Sequence, residues 1–187
     1  MKNRNVYLDN SATTRPFDEV IDVVMETMKI TYGNPSSLHH MGIEAEKVVN
    51  RSRETLASSL QVKPGEIIFT SGGTEANNLA IKGIADAYRK KGNHIISSST
   101  EHKSVLNPLH SLEEEGFEAT YLPVDSNGVI DLERLEEEIR EDTILISIMH
   151  VNNETGTIQP IDRVKEIIRN KHSSALFHVD AVQSFGK

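Results

Sequence analysis

Strands and helices alternate along the chain, which predicts an α/β protein built on a mostly parallel sheet flanked by helices. Three observations carry that prediction. Short apolar runs at 94–97, 143–150 and 175–179 are separated by segments whose apolar residues recur at helical spacing. The run at 143–150 is apolar enough to be buried on both faces, as a central parallel strand must be. The strands also end in polar residues, and ligands of such sheets bind outside the carboxyl ends of the strands.

The elements follow in order. Residues 6–14 begin extended and enter a polar turn. Pro16 and Asp18 then open an amphipathic helix with Val20, Val24 and Met28 on one face. Gly33, Asn34, Pro35, Ser36 and Ser37 have loop chemistry, and a long helix is expected over 43–60, before Pro64. Ile67, Ile68 and Phe69 read as a buried strand running into a turn with Gly72, Gly73 and Thr74. A helix follows with Ala76, Ala80, Ile84 and Ala87 on one face, and Gly92 stops it after Arg89, Lys90 and Lys91. Beyond it the pattern predicts a strand at 94–97 and a helix at 104–115 closed by Gly116. An extended piece at 118–123 and a turn at Asn127 and Gly128 lead to a helix at 131–139. The strand at 143–150, a loop at 152–156, a helix at 161–170 and a strand at 175–179 complete the series.

Composition bounds the function. The chain has 187 residues, enough for one substantial core, and a net charge of −8, which argues against nucleic acid or an anionic membrane as the main partner. There is no cysteine, so disulfides, thiolate metal sites and a cysteine nucleophile are absent from these residues. None of the eight histidines is spaced His-x-x-x-His, and the adjacent pair His39 and His40 lacks a third ligand, so no metal is expected. The N-terminal residues carry no apolar run and no stretch is long enough to span a bilayer, so the expected location is the cytoplasm.

The turn at Gly72, Gly73 and Thr74 aims the free N–H groups of a helix start at whatever lies beyond it, and a phosphate is the natural guest. The same turn also serves as a plain corner in a doubly wound fold, and neither common nucleotide fingerprint is present. Three more polar groups follow strands: Glu101 with His102, Asn152 with Asn153 and Glu154, and Asp180 with Gln183. Singly they are bland, for His102 can begin a helix, Asp180 can cap a turn and asparagines suit tight loops. Together they suit pyridoxal 5′-phosphate, which needs a phosphate cradle and an acidic partner for its ring nitrogen. Thr74 fits the first task and Asp180 the second.

Six segments also carry a resemblance. They are residues 7–14 (YLDNSATT), 33–37 (GNPSS), 70–78 (TSGGTEANN), 101–105 (EHKSV), 149–154 (MHVNNE) and 178–183 (HVDAVQ). In this order they resemble the cysteine desulfurases of the NifS/IscS type, in the class V aminotransferase branch of fold type I enzymes. The resemblance implies that Gly73 and Thr74 hold the cofactor phosphate and that His102 stacks on the ring and shuttles protons. It implies that Asn153, rather than Asn152, contacts cofactor or substrate, that Asp180 pairs with the ring nitrogen, and that Gln183 bonds the ring hydroxyl oxygen. The reaction implied takes L-cysteine to L-alanine and an enzyme persulfide, with the sulfur passed to an acceptor or scaffold protein for iron–sulfur cluster assembly or thiolation. A homodimer is implied as well.

The family's Schiff-base lysine, its sulfur-accepting cysteine and an arginine for the substrate carboxylate lie downstream of the last matching segment; Lys187 matches a different lysine. The domain reading that follows is an N-terminal segment over 1–14 and a partial large domain over 15–187, inactive alone. A selenocysteine lyase or another class V enzyme shares many of these segments. A non-catalytic fragment, or half of a split enzyme, is the reading outside catalysis.

Overall fold

The computed structural model describes residues 6–186, and its contacts divide the chain into two units, Met1–Phe69 and Thr70–Lys187. The first unit holds helices α1 (Asp18–Ile30) and α2 (His40–Leu60) and a short 3-10 turn at Pro64–Glu66. The loop between the helices closes tightly: a side chain at Gly33 would stand 2.3 Å from the Met41 carbonyl oxygen, which leaves room only for glycine. His39 caps α2 by accepting the Gly42 N–H on its Nδ1. Val20, Val24 and Met28 of α1 are exposed, so the apolar face that the spacing marks is not covered among the described residues.

The stretch 67–69 differs from expectation. Ile67 is extended, with φ −93° and ψ 122°, yet the stretch joins no ladder among the described residues, and Ile68 and Phe69 are exposed. A side chain does the work of a neighbouring strand there. The Arg53 guanidinium donates to the Ile67 carbonyl and lies 4.7 Å over the Phe69 ring. Apolar β-branched residues favour extended backbone, but they do not specify what it pairs with.

The second unit is a three-layer α/β sandwich. Its elements are α3 (Gly73–Tyr88), β1 (His94–Ser98), α4 (Lys103–Glu114), β2 (Glu118–Leu122), α5 (Leu132–Glu138), β3 (Thr143–Ser147), α6 (Ile161–Asn170) and β4 (Leu176–His178). The four strands are all parallel, in the order β2-β1-β3-β4. Every residue of β1 and β3 is buried, as their continuous apolar runs require. Side-chain alternation splits them between two cores. Ile95 and Leu145 face Ile81 of α3 with Val105 and Leu109 of α4, while Ile96 and Ile146 face Leu135 of α5 and Val164 of α6. Each such side chain, fully buried, contributes about 1.5–3 kcal/mol relative to exposure.

Two details correct the sequence reading. The buried face of α3 is Asn77, Ile81 and Ala85, one position on from Ala76, Ala80, Ile84 and Ala87. Small alanines mark a helix without marking its phase, and the larger Ile81 sets it. Gly92 is not only a helix stop: a side chain there would meet the Asp142 carbonyl oxygen at 2.1 Å, so glycine is needed where two connections cross. Further along, β3 proper ends at Ser147, although the Ile148 and His150 N–H groups still bond the His178 and Asp180 carbonyls and burial continues through Met149.

The topology has a consequence for the site. From β1 the chain moves outward to β2, then passes back over β1 to β3. Loops after β1 and β3 therefore leave the sheet in opposite directions and open a crevice between them.

Candidate active site

The site is assembled on that rim. Asp180, just after β4, is 8 % exposed; its Oδ1 accepts the Val182 N–H at 3.0 Å and its Oδ2 accepts the Asn77 side-chain amide at 2.8 Å. A carboxylate has about four lone-pair positions, so two inward bonds leave capacity for a further donor. The Asn77 amide also donates to Ser104 Oγ at 2.9 Å. With that oxygen accepting from Asn77, the Ser104 hydroxyl is free to donate to His102 Nδ1 at 2.8 Å, and the Ser104 backbone N–H donates to the same nitrogen at 3.1 Å. This bonding makes Nδ1 an acceptor and places the proton of the neutral imidazole on Nε2. One continuous chain of hydrogen bonds thus links Asp180 after β4, Asn77 on α3 and His102 at the start of α4.

The turn before α3 lies beside this chain. Ser71 is tied by Glu75, whose Oε2 accepts from both the Ser71 N–H and its hydroxyl at 2.6 Å. Those bonds hold the Glu75 carboxyl below its ordinary range. The first N–H groups of α3, beginning at Gly73 and Thr74, have no acceptor within the helix. Gly72, at φ 163°, is extended, whereas a side chain on Gly73 would come within 2.8 Å of Val182, so Gly73 brings the turn close to the segment after Asp180. A cleft of about 370 Å³ is lined by Thr74, Lys82, His102 and Lys103, a cationic lining that suits an anion.

A second cleft, of about 580 Å³, lies at the crevice between β1 and β3, with Glu101 and His102 on one side and Asn152, Asn153 and Glu154 on the other. The two asparagines divide their work. Asn152 is buried; its amide donates to the Thr100 carbonyl at 2.9 Å, and its Oδ1 accepts the Glu154 and Thr155 N–H groups, each at 2.9 Å. Asn153 is half-buried and lines the cleft. Gln183 is half-buried in the turn after Asp180, where Ser184 and Phe185 N–H groups bond the Ala181 carbonyl. Lys187 lies outside the described residues.

All six residues singled out from the sequence (Gly73, Thr74, His102, Asn153, Asp180 and Gln183) fall in this second unit, after β1, β3 and β4 or at the start of α3. Sequence reasoning assigned no role to Asn77, Ser104, Glu75 or Glu101. Asn77 carries a legible signal: asparagine is a poor helix former, and here it sits in register with Ile81 and Ala85. Glu101 is the most unusual of the four, being 5 % exposed with its carboxyl pushed up to about 8, first by burial and then by the charge of Asp180. Among the described residues no three His, Asp or Glu side chains converge as a metal ion would need.

Known proteins share this sequence and this fold. The sequence matches the aminotransferase class-V family over residues 6–187. It is 52% identical over 183 residues to the cysteine desulfurase IscS of Dictyoglomus turgidum (strain DSM 6724 / Z-1310), covering 98% of this chain and 46% of that protein. The fold superposes on a solved NifS-like protein with a TM-score of 0.94 at 47% identity, covering 98% of this chain and 50% of the other. A structure described as SspA in complex with cysteine gives a TM-score of 0.88 at 41% identity, over 96% of this chain and 51% of that one. The chain spans about half the length of the curated relatives it matches. The expected sheet architecture is therefore found both in the strands themselves and in the solved relatives. With its family profile matched from residue 6 onward and IscS-type relatives at half identity, the chain belongs to the class-V aminotransferases, a family of pyridoxal 5′-phosphate enzymes.

Proposed function

We propose that this chain is the cofactor-holding portion of a cysteine desulfurase, the greater part of its large domain. The observation that carries the reading is the bonded chain from Asp180 through Asn77 and Ser104 to His102, which sets a buried acid and an imidazole on one rim. The residues fit pyridoxal 5′-phosphate: Asp180 keeps lone pairs for a ring N–H, and the open N–H groups at Gly73 and Thr74 suit the phosphate. Gln183 would bond the ring hydroxyl oxygen, and Asn153 would meet cofactor or substrate from the far side of the cleft. Bound there, the cofactor supplies an electron-withdrawing ring for bond cleavage in an amino acid. His102, with Nδ1 engaged, presents a ring face and an Nε2 proton. Asp180 favours the protonated ring nitrogen by its charge, and Asn77 holds Asp180 in place.

L-cysteine is the substrate we infer, since IscS-type relatives are named for its desulfuration and the SspA structure contains it. The products would be L-alanine and a persulfide on a thiol outside these residues, for the chain has no cysteine. A sulfur-acceptor or scaffold protein, a homodimeric assembly and a cytoplasmic location complete the reading. Among the described residues no helix is long and apolar enough to cross a membrane.

Borohydride reduction after addition of the cofactor tests the division of labour. Binding that survives gel filtration without any single lysine becoming modified supports a non-covalent cradle. One stoichiometric adduct on a lysine of this chain contradicts it. Alanine formation from cysteine should then require a second polypeptide carrying the anchoring lysine and the thiol.

A further inference from the structure

Glu101 is the buried carboxyl that the proposed function leaves unused. It stands between the end of β1 and His102, its Oε1 accepts the Met149 N–H at 2.8 Å, and its Oε2 is buried with no hydrogen-bond partner. A bare carboxylate oxygen in that position leaves negative charge unsolvated, which costs several kcal/mol, whereas a carboxylic acid carries no net charge to desolvate. The surrounding elements offer no cation bonded to it. His102 caps α4 and Lys103 begins it, His150 and Glu154 belong to the segment after β3, and His178 and Asp180 to β4 and its end. Of these, Asp180 acts on Glu101 by its charge and opposes a second anion.

We propose that Glu101 is a positioning residue of the cofactor site: as an uncharged carboxylic acid it clips the backbone carrying His102 to Met149 at the end of β3. The same uncharged state keeps a second negative charge away from Asp180. Glu101 thereby joins the two lips of the crevice, since His102 follows one strand and Asn153 the other, and only the protonated form does so without an unpaired buried charge. This inference rests on the reading of the rim as a cofactor site, but its geometry is independent of cofactor occupancy.

Two measurements on the cofactor-free chain test it between pH 6 and 9.5. Infrared difference spectra between the wild type and Glu101→Gln should show one protonated carboxyl band at pH 7 that fades with a midpoint near 8. The His102 ring resonances should show a step near 8 in the wild type that is missing from Glu101→Gln, whose amide mimics the acid's shape and neutrality. Glu101→Ala should broaden the His102 signal at pH 7, and Glu101→Gln should restore it. Absence of the band at pH 7, or a His102 step near 8 in both proteins alike, overturns the proposal; should Glu101→Ala not fold, those two readings still decide. A separate pyridoxal phosphate titration distinguishes the two ideas: a chain that takes up no cofactor yet shows the band and the linked shift refutes the cofactor reading and leaves the clip standing.

Discussion

Asn77→Ala removes the single residue that bonds both Asp180 and Ser104, and its effect can be worked from the geometry. The side chain is 4 % exposed, and its amide donates to Asp180 Oδ2 at 2.8 Å and Ser104 Oγ at 2.9 Å. A hydrogen bond to a charged group contributes about 1.5–3 kcal/mol and a neutral one about 1 kcal/mol, and neither lost donor is easily replaced by water at this depth. The expected destabilisation is about 3 kcal/mol, which in a protein of this length lowers Tm by roughly 6–12 °C. Asn78→Ala, which loses only a bond to the Thr74 carbonyl one turn back, should cost less than about 0.5 kcal/mol. Asn77→Asp preserves size but replaces the donating amide by a carboxyl facing Asp180, so it should destabilise at least as much as Asn77→Ala at both pH values. Thermal unfolding followed by circular dichroism at pH 5 and 8 measures all three. An Asn77→Ala Tm within about 2 °C of the wild type would refute the account of Asn77 as the bridge of the site.

The remaining expectations concern loops, glycines and pH. Asn152→Ala should destabilise the chain by about 2 kcal/mol, because two backbone N–H groups and the Thr100 carbonyl lose their partner, while Asn153→Ala should leave Tm unchanged and weaken cofactor uptake. Gly92→Ala forces a methyl into the Asp142 backbone and should cost more than about 3 kcal/mol, whereas Gly72→Ala meets nothing within 4 Å and should be nearly neutral; urea unfolding separates the two. The Glu101 carboxyl holds its proton more tightly in the fold, so its stabilisation is complete below 4.5 and is lost as pH rises from there through about 8, a change of up to about 5 kcal/mol that Glu101→Gln should abolish. His94 and His178 are pushed the other way, below 6.5, chiefly by burial, so they favour the fold above that pH and withdraw stability as pH falls beneath it. His94→Gln should flatten that acid limb in a urea series across pH.

The layered sheet was legible because its central strands are apolar without interruption and its helices keep their period. The helix at 161–170 and the strand at 94–97 are found within a residue of expectation. The site was legible where residue type and strand-end position coincide, as at Asp180 and His102. Asn77 shows in the sequence only as a misfit in its helix and Ser104 not at all, since their roles exist only when α3, α4 and the end of β4 meet, 27 and 103 residues apart for the two bonds of Asn77. The role of Glu101 was hidden for a related reason: an acidic residue after a strand is ordinarily solvated, and only the fold buries it, bonds it to the Met149 N–H and sets it within reach of the Asp180 charge. The stretch at 67–69 failed in the opposite direction. Its composition reads as strand, but an arginine rather than a neighbouring strand takes its carbonyl.

Equilibrium binding of pyridoxal 5′-phosphate to the wild-type chain and to Asp180→Asn shows whether this rim holds the cofactor through Asp180. Saturable binding to the wild type is expected, weakened about tenfold to hundredfold by Asp180→Asn through loss of a charge-assisted bond of about 1.5–3 kcal/mol. Equal affinity in the two proteins, with both folded, would contradict the assignment of Asp180 and the cofactor site built on it.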